Sequence, residues 1–262
     1  INAGERGRRK VIGYYVKAEN LKFKRTFSRK MIFIVPLINI CFAFLMNPGF
    51  FVAGTYNWWS VILMPVMIAL LCAQSHQKEK KASNYNGIFS SPVDLHQIWY
   101  AKISVIALYS LASQAVFLGF MVGMQFVIPQ FSSIHLTVIA ANLLLWLTTL
   151  WEIPVCLWIA RKYGFISAVL FNMLGTIILG IMSASSPFWW LNPWSWPIRV
   201  MCPTIGIHPN GVPLENGDPL TSWAVVPPAV VLSVLLFAIL ARLTRRSFSP
   251  AVDRKSIKRE AV

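Results

Sequence analysis

Six apolar runs lie along the chain, at 31–52, 58–75, 102–128, 134–160, 164–184 and 223–241. A helix needs about 20 such residues to cross a bilayer. The first run is interrupted at Asn47-Pro48-Gly49, which predicts a helical core of 31–46. The third and fourth are longer than one bilayer thickness requires, which predicts tilt or extension beyond the membrane. Pro36, Pro65 and Pro154 lie inside runs; in lipid, neighbouring groups can satisfy the backbone positions that such prolines leave open. The pattern predicts an all-α membrane protein with six transmembrane helices in one domain, residues 31–245, without internal repeats.

Composition removes the competing classes. Hydrophobic residues make up 56% of the 262 and charged residues 13%, about half the charged share of a soluble domain. That excludes an ordinary soluble globule and a disordered chain. The formal charge of +15 would suit nucleic acid, but its distribution decides otherwise. Of 24 Lys and Arg, only Arg199 falls on the side of the 47–57, 129–133 and 185–222 connections. All others flank the opposite ends of the runs. By the positive-inside rule this places both termini and the 76–101 connection in the cytoplasm, and it requires an even number of spans. The charge reads as a topology and anionic-lipid signal of a multi-pass plasma-membrane protein.

Three segments outside the runs carry further signals. Residues 1–12 read as an extension of uncertain origin, without the apolar stretch of a secretory signal. Residues 13–30 predict an interfacial amphipathic helix, with Val16, Leu21, Phe23 and Phe27 on one side and Lys17, Lys24, Arg25 and Arg29 elsewhere. Residues 76–90 predict a short cytoplasmic coupling helix. Tyr85 and Phe89, four apart, would share one face, with Glu79, Lys80 and Lys81 as a charged rim. Ser91-Pro92-Val93-Asp94 then reads as a helix start, with Ser91 as cap, Pro92 first and Asp94 third. In the external loop 185–222, Trp189, Trp190, Trp194 and Trp196 suit the headgroup region. They read either as an aromatic belt or as a lid that meets an amphiphilic substrate. Residues 246–262 form a basic tail on the cytoplasmic side.

Catalytic chemistry is missing from the pattern. No GxxxxGK[ST], HExxH or GxSxG occurs, and Cys41, Cys72, Cys156 and Cys202 show no CxxC pairing. The sequence offers no catalytic, metal or cofactor set. One acid stands apart. Glu152 precedes Arg161, at the inner end of the fourth run, by nine residues, which places it roughly 13 Å deeper. A carboxyl there costs about 2.5–3.5 kcal/mol on insertion scales. Glu152 with Pro154 is therefore either a structural acid at a helix contact or part of a translocation interface. Asn39, Gln114, Asn142 and Asn172 are its polar neighbours by depth.

Three stretches carry a resemblance. YYVKAENLKFKRTFSRK before the first run, YNWWSVILMPVMIALLCAQSHQKEKK across the second, and NYNGIFSSPVDLHQIWYAKI into the third resemble lantibiotic-immunity ABC transporter permeases of the MutE/EpiE type. The layout matches over residues 13–245. The resemblance implies an ABC-2-type (type V exporter) permease with an interfacial helix, a coupling helix and short external helices before the last span. It implies a second, different permease subunit and two copies of a separate ATPase that binds ATP and Mg. It also implies removal of cationic lantibiotic peptides from the membrane of a Gram-positive bacterium. The alternatives are an ABC-2 permease for another amphiphile (a lipid, a glycan or a different antibiotic) and a membrane-embedded enzyme or scaffold.

Overall fold

The computed structural model describes residues 3–24, 26–83, 85–90, 92–129, 136–215 and 217–248. Apart from one isolated bridge between Ile207 and Pro213, the regular elements among them are helical.

Helix α1 (Ala3–Phe23) takes in most of the opening twelve residues and stops short of the end expected at 30. The chain turns there because Thr26 is extended and caps α2 (Phe27–Met46), while its hydroxyl donates to Phe23 O at 2.8 Å. The expected stripe is therefore divided. Phe23 is buried against Tyr109, with ring centroids 5.2 Å apart, whereas Leu21 and Phe27 are exposed. The first span ends at Met46, as the Asn-Pro-Gly break predicts.

The second apolar segment is longer than its run. A 3-10 turn at Pro48–Phe50, α3 (Phe51–Trp58), a π-turn at Trp59–Leu63 and α4 (Met64–Ser83) form one helical path, with 35 residues in its candidate span. The π-turn lies just before Pro65. That proline has no N–H to return to the carbonyl four residues back, and Met64 N–H instead reaches Trp59 O. A four-residue helix, α5 (Asn86–Phe89), leads to α6 (Leu95–Val127), the 33-residue third span.

The fourth run folds as two helices, α7 (Leu136–Thr149) and α8 (Glu152–Tyr163), bent by 40°. Pro154 is the cause, although the break lies upstream of it. A continuous helix would need a Pro154 N–H for the Leu150 carbonyl. Ile153 N–H takes that carbonyl in a tighter turn at 3.2 Å, and α8 restarts with its proline in the first turn. The fifth span runs from α9 (Phe165–Leu174) through a π-turn at Gly175–Gly180 into α10 (Ile181–Ala184). After it comes α11 (Ser195–Ile205), nine of whose eleven residues are buried. It is inserted among α3, α7, α10 and α12 (Val226–Ser247), the last span. Among the described residues five helices are long and apolar enough to cross a membrane, and the bent pair makes six. The chain is an all-α, multi-pass membrane protein.

Candidate functional site

The basic end of the bundle gathers the residues expected to couple to a partner, and it turns most of them inward. At Tyr85 the backbone enters the left-handed region at φ 66°, uncommon for a tyrosine. Its N–H reaches back to Glu79 O at 3.2 Å, so α5 folds onto the bundle instead of extending α4. Tyr85 is buried. Its hydroxyl pairs with His76 Nδ1 at 2.7 Å, and its ring stacks on Phe89 at 5.8 Å. Phe89 and Trp99 close on Phe248 at 5.8 and 5.2 Å, and the Arg161 guanidinium lies 4.9 Å from the Phe248 ring while donating to Ser247 O at 2.6 Å. The expectation of two outward anchors is corrected: the i, i+4 argument assumed one helix through residue 85, and the chain reverses there. Among the described residues of this segment, Lys80, Lys81, Ala82, Asn86, Gly87 and Ser90 remain exposed.

Glu79 is not a rim charge either. Its Oε1 accepts from Lys102 Nζ at 2.7 Å and from Lys22 Nζ at 2.5 Å. Glu19 completes the set, with Oε2 to Lys102 at 2.9 Å and Oε1 to Lys22 at 2.6 Å. Glu19, Glu79 and Lys102 are buried, so α1, α4 and α6 are tied by two carboxylates facing two ammonium groups. Burial opposes the charge of Lys22, but the adjacent Glu19 and Glu79 carboxylates outweigh it and raise its pKa above the ordinary lysine value. Asp94 has a structural place as well. It is the cap of α6, not its third residue, and its carboxylate accepts from His96 N–H at 2.9 Å and Gln97 N–H at 3.4 Å. A short acid accepts backbone N–H bonds better from the cap than from inside the turn. Ser91, expected as the cap, and the tail beyond 248 lie outside the described residues.

Glu152 opens α8 at the bend and is fully buried. Its Oε2 accepts from Asn172 Nδ2 at 2.6 Å, and the same amide group donates to Pro65 O at 2.8 Å. Asn172 Oδ1 accepts from Trp194 Nε1 at 3.3 Å. Glu152 Oε1 and the neighbouring Trp151 Nε1 are buried with no hydrogen-bond partner. The acid thus sits where three irregular elements meet: the α7–α8 bend, the carbonyl side of Pro65, and the π-turn after α9. Of the four polar neighbours expected by depth, Asn172 is the partner. Gln114 and Asn142 form a separate network, in which Gln114 accepts from Trp59 Nε1 at 2.7 Å and donates to Asn142 Oδ1 at 2.8 Å, and Asn142 donates to the Tyr56 hydroxyl. Asn39 donates to Thr55 O at 3.0 Å.

The four tryptophans expected in the external loop do not form one surface. Trp196 is buried and donates from Nε1 to Trp190 O at 3.1 Å. Trp194 and Trp196 close on Trp151 at 5.3 and 6.5 Å. Gly175 permits this approach, since a Cβ there would meet the Trp194 ring at 2.3 Å. Trp189 is half-buried in a 3-10 turn, and Trp190 is the exposed member, beside exposed Phe188 and Leu191. The single-lid expectation is corrected: α11 is inserted, and the indoles at its start are drawn in with it. Arg199 is buried as well and donates from Nη1 to Leu220 O at 3.1 Å.

Sequence reading missed Lys102, His76, Arg161 and Trp151. Lys102 alone carried a signal, a lysine seven residues inside the third helix with no neighbouring acid in sequence. Among the described residues no three His, Cys, Asp or Glu lie close enough to hold a metal ion.

A long helix at the basic end, a six-span path with a broken fourth member, and an inserted helix before the last span accord with one comparison. The family model described as ABC-2 family transporter protein matches residues 15–190. No curated protein and no solved structure matches the chain. The match spans more than half of the chain, from α1 to the turn that precedes α11, and the protein therefore belongs to the ABC-2 transporter family as a membrane-spanning permease subunit.

Proposed function

We propose that this permease serves an exporter that removes lantibiotic-type cationic peptides from the membrane. It pairs with a second, different permease, and two copies of a separate ATPase supply ATP- and Mg-dependent drive at the basic, cytoplasmic end. One observation carries the reading. The end opposite the basic one exposes Phe188, Trp190, Leu191 and Trp223, with Glu215 also exposed, while the one cation there, Arg199, is buried. An amphiphile with positive charge meets apolar rings and no repelling cation on that surface. The resemblance of residues 13–105 to lantibiotic-immunity permeases supports the same substrate class.

Two measurements test it. Cells with the complete transporter are compared with cells lacking it on a panel of lantibiotics. Protection against at least one is expected, and equal sensitivity throughout overturns the peptide reading in favour of another amphiphile. Topology is tested in intact cells with an impermeant thiol reagent. A cysteine at Asn210 is expected to be labelled and one at Ala82 to be silent; the reverse pattern inverts the orientation.

A further inference from the structure

A groove of about 460 Å³ lies between α1, α2 and α6 at the basic end. Its polar rim is cationic. Lys17 and Lys24 come from the α1 side and Arg29 from the first turn of α2. All three are exposed, and among the described residues no Asp or Glu lines the groove. The two nearby carboxylates, Glu19 and Glu79, are committed to Lys22 and Lys102, so among the described residues no carboxylate is left to offset the positive charge of the rim. Asn20 lies on the same wall and accepts from the Tyr109 hydroxyl at 3.0 Å, which leaves its amide NH2 as a further donor. Beyond the rim the wall becomes apolar, with Ile32 on α2 and Val105, Leu108 and Ala112 on α6. Leu108 is 56% exposed and Phe33, one residue beyond Ile32, 58%, as side chains in contact with lipid would be.

Cations at one end, an amide beside them and an apolar slot leading along two membrane spans match one ligand shape: a phosphate-bearing head with an acyl chain. We propose that this groove is a binding site for an anionic phospholipid. The phosphodiester is held by Lys17, Lys24 and Arg29, and one acyl chain lies against Ile32, Leu108 and Ala112. The lipid then fills the angle between α1 and the spans, on the outside of the ion-paired junction that joins α1 to α4 and α6. The proposal rests on the groove alone and does not depend on the identity of the exported substrate.

The test uses the complete transporter purified in mild detergent, with retained lipid counted by native mass spectrometry after exchange into mixed phosphatidylglycerol and phosphatidylcholine. The wild-type complex is expected to retain phosphatidylglycerol in preference to phosphatidylcholine. Lys17→Gln/Lys24→Gln/Arg29→Gln is expected to lower that retention on the order of a hundredfold, since each cation near an anionic headgroup contributes about a factor of five. Lys30→Gln, adjacent in sequence but outside the groove, is expected to leave it unchanged. Leu108→Trp keeps every charge and fills the apolar slot, and is expected to lose the lipid as well, so a folding defect in the triple variant does not decide the matter. Inorganic phosphate at millimolar concentration is expected not to displace the lipid. Unchanged retention in the triple variant, or in Leu108→Trp, overturns the proposal. Displacement by inorganic phosphate alone also overturns it, in favour of a site for soluble phosphate groups, and so does a groove found covered by the second permease with no lipid retained.

Discussion

The two ends of the bundle are closed by opposite means. At the basic end, segments far apart in sequence are joined through long polar side chains: Glu19, Glu79 and Lys102 across α1, α4 and α6, and Tyr85 with His76 beside Phe248 and Arg161. Around α11 the joints are close approaches to small residues. Gly175 lies against the Trp194 ring and Gly180 against the Trp194 backbone carbonyl and Ile198, so that α11 sits within the spans. Membrane helices gain little hydrophobic drive from one another, so small residues that let backbones approach and polar groups that bond across helices hold them together. This protein weights the two devices differently. At the basic end charged pairs do the joining. Around α11 glycine admits the Trp194 indole, whose N–H then joins the bonded pair Asn172 and Glu152. A charge count alone would assign the lysines and glutamates of the basic end to display, and Glu19, Glu79 and Lys102 are internal fasteners.

The largest effect is expected from removing the central ammonium of the basic end. Lys102→Met leaves Glu19 and Glu79 buried with only the half-exposed Lys22 between them, and is expected to cost about 3–5 kcal/mol. Thermal unfolding of the purified protein measures it. A loss below about 1 kcal/mol would mean that water already screens these charges, and the contrast between the ends would collapse. Gly175→Ala tests the other device. A methyl group cannot fit 2.3 Å from the Trp194 ring, so the ring or α11 must shift, at about 1–3 kcal/mol. Protease access to the 206–222 segment, compared with wild type, reports whether α11 has moved.

Smaller changes sharpen the comparison. Tyr85→Phe keeps the stacked ring and removes the bond to His76, with an expected cost of about 1 kcal/mol and weaker ATPase copurification if α5 must be held rigidly to transmit force. Glu152→Gln retains an acceptor for Asn172 and offers an amide at the oxygen that now lacks a partner. Its stability is expected to stay within about 1 kcal/mol of wild type, while export falls if a carboxyl is needed between the two ends. Unchanged export with normal abundance would make the acid purely structural. Phe188→Ala/Trp190→Ala changes exposed rings of the less polar end and is expected to alter stability by less than about 0.5 kcal/mol while reducing protection against peptide. Loss of assembly instead would show that these rings belong to a subunit interface.

The sequence by itself determined the class. Apolar run length sets where a helix can rest in a bilayer, and Asn47-Pro48-Gly49 ends the first span at Met46 because the proline cannot donate and the glycine disfavours helix. These signals are local, so they survive any tertiary arrangement. Glu152 was also legible, as an acid far inside an apolar run, and its expected neighbour Asn172 is its partner. What only the tertiary structure decided is which way side chains face once the chain reverses. Tyr85 and Phe89 have the spacing of an exposed pair, yet a left-handed residue at the turn folds them inward. Trp194 and Trp196 have the composition of an interfacial belt, yet Gly175 opens a space for Trp194 beside Trp151, and Trp196 is buried with it. Lys102 counts as one more basic-end charge until α1 and α4 bring it two carboxylates. Periodicity and composition report a residue's own preference for water or lipid. Its partners are set by elements tens of residues away, and no local pattern encodes their approach.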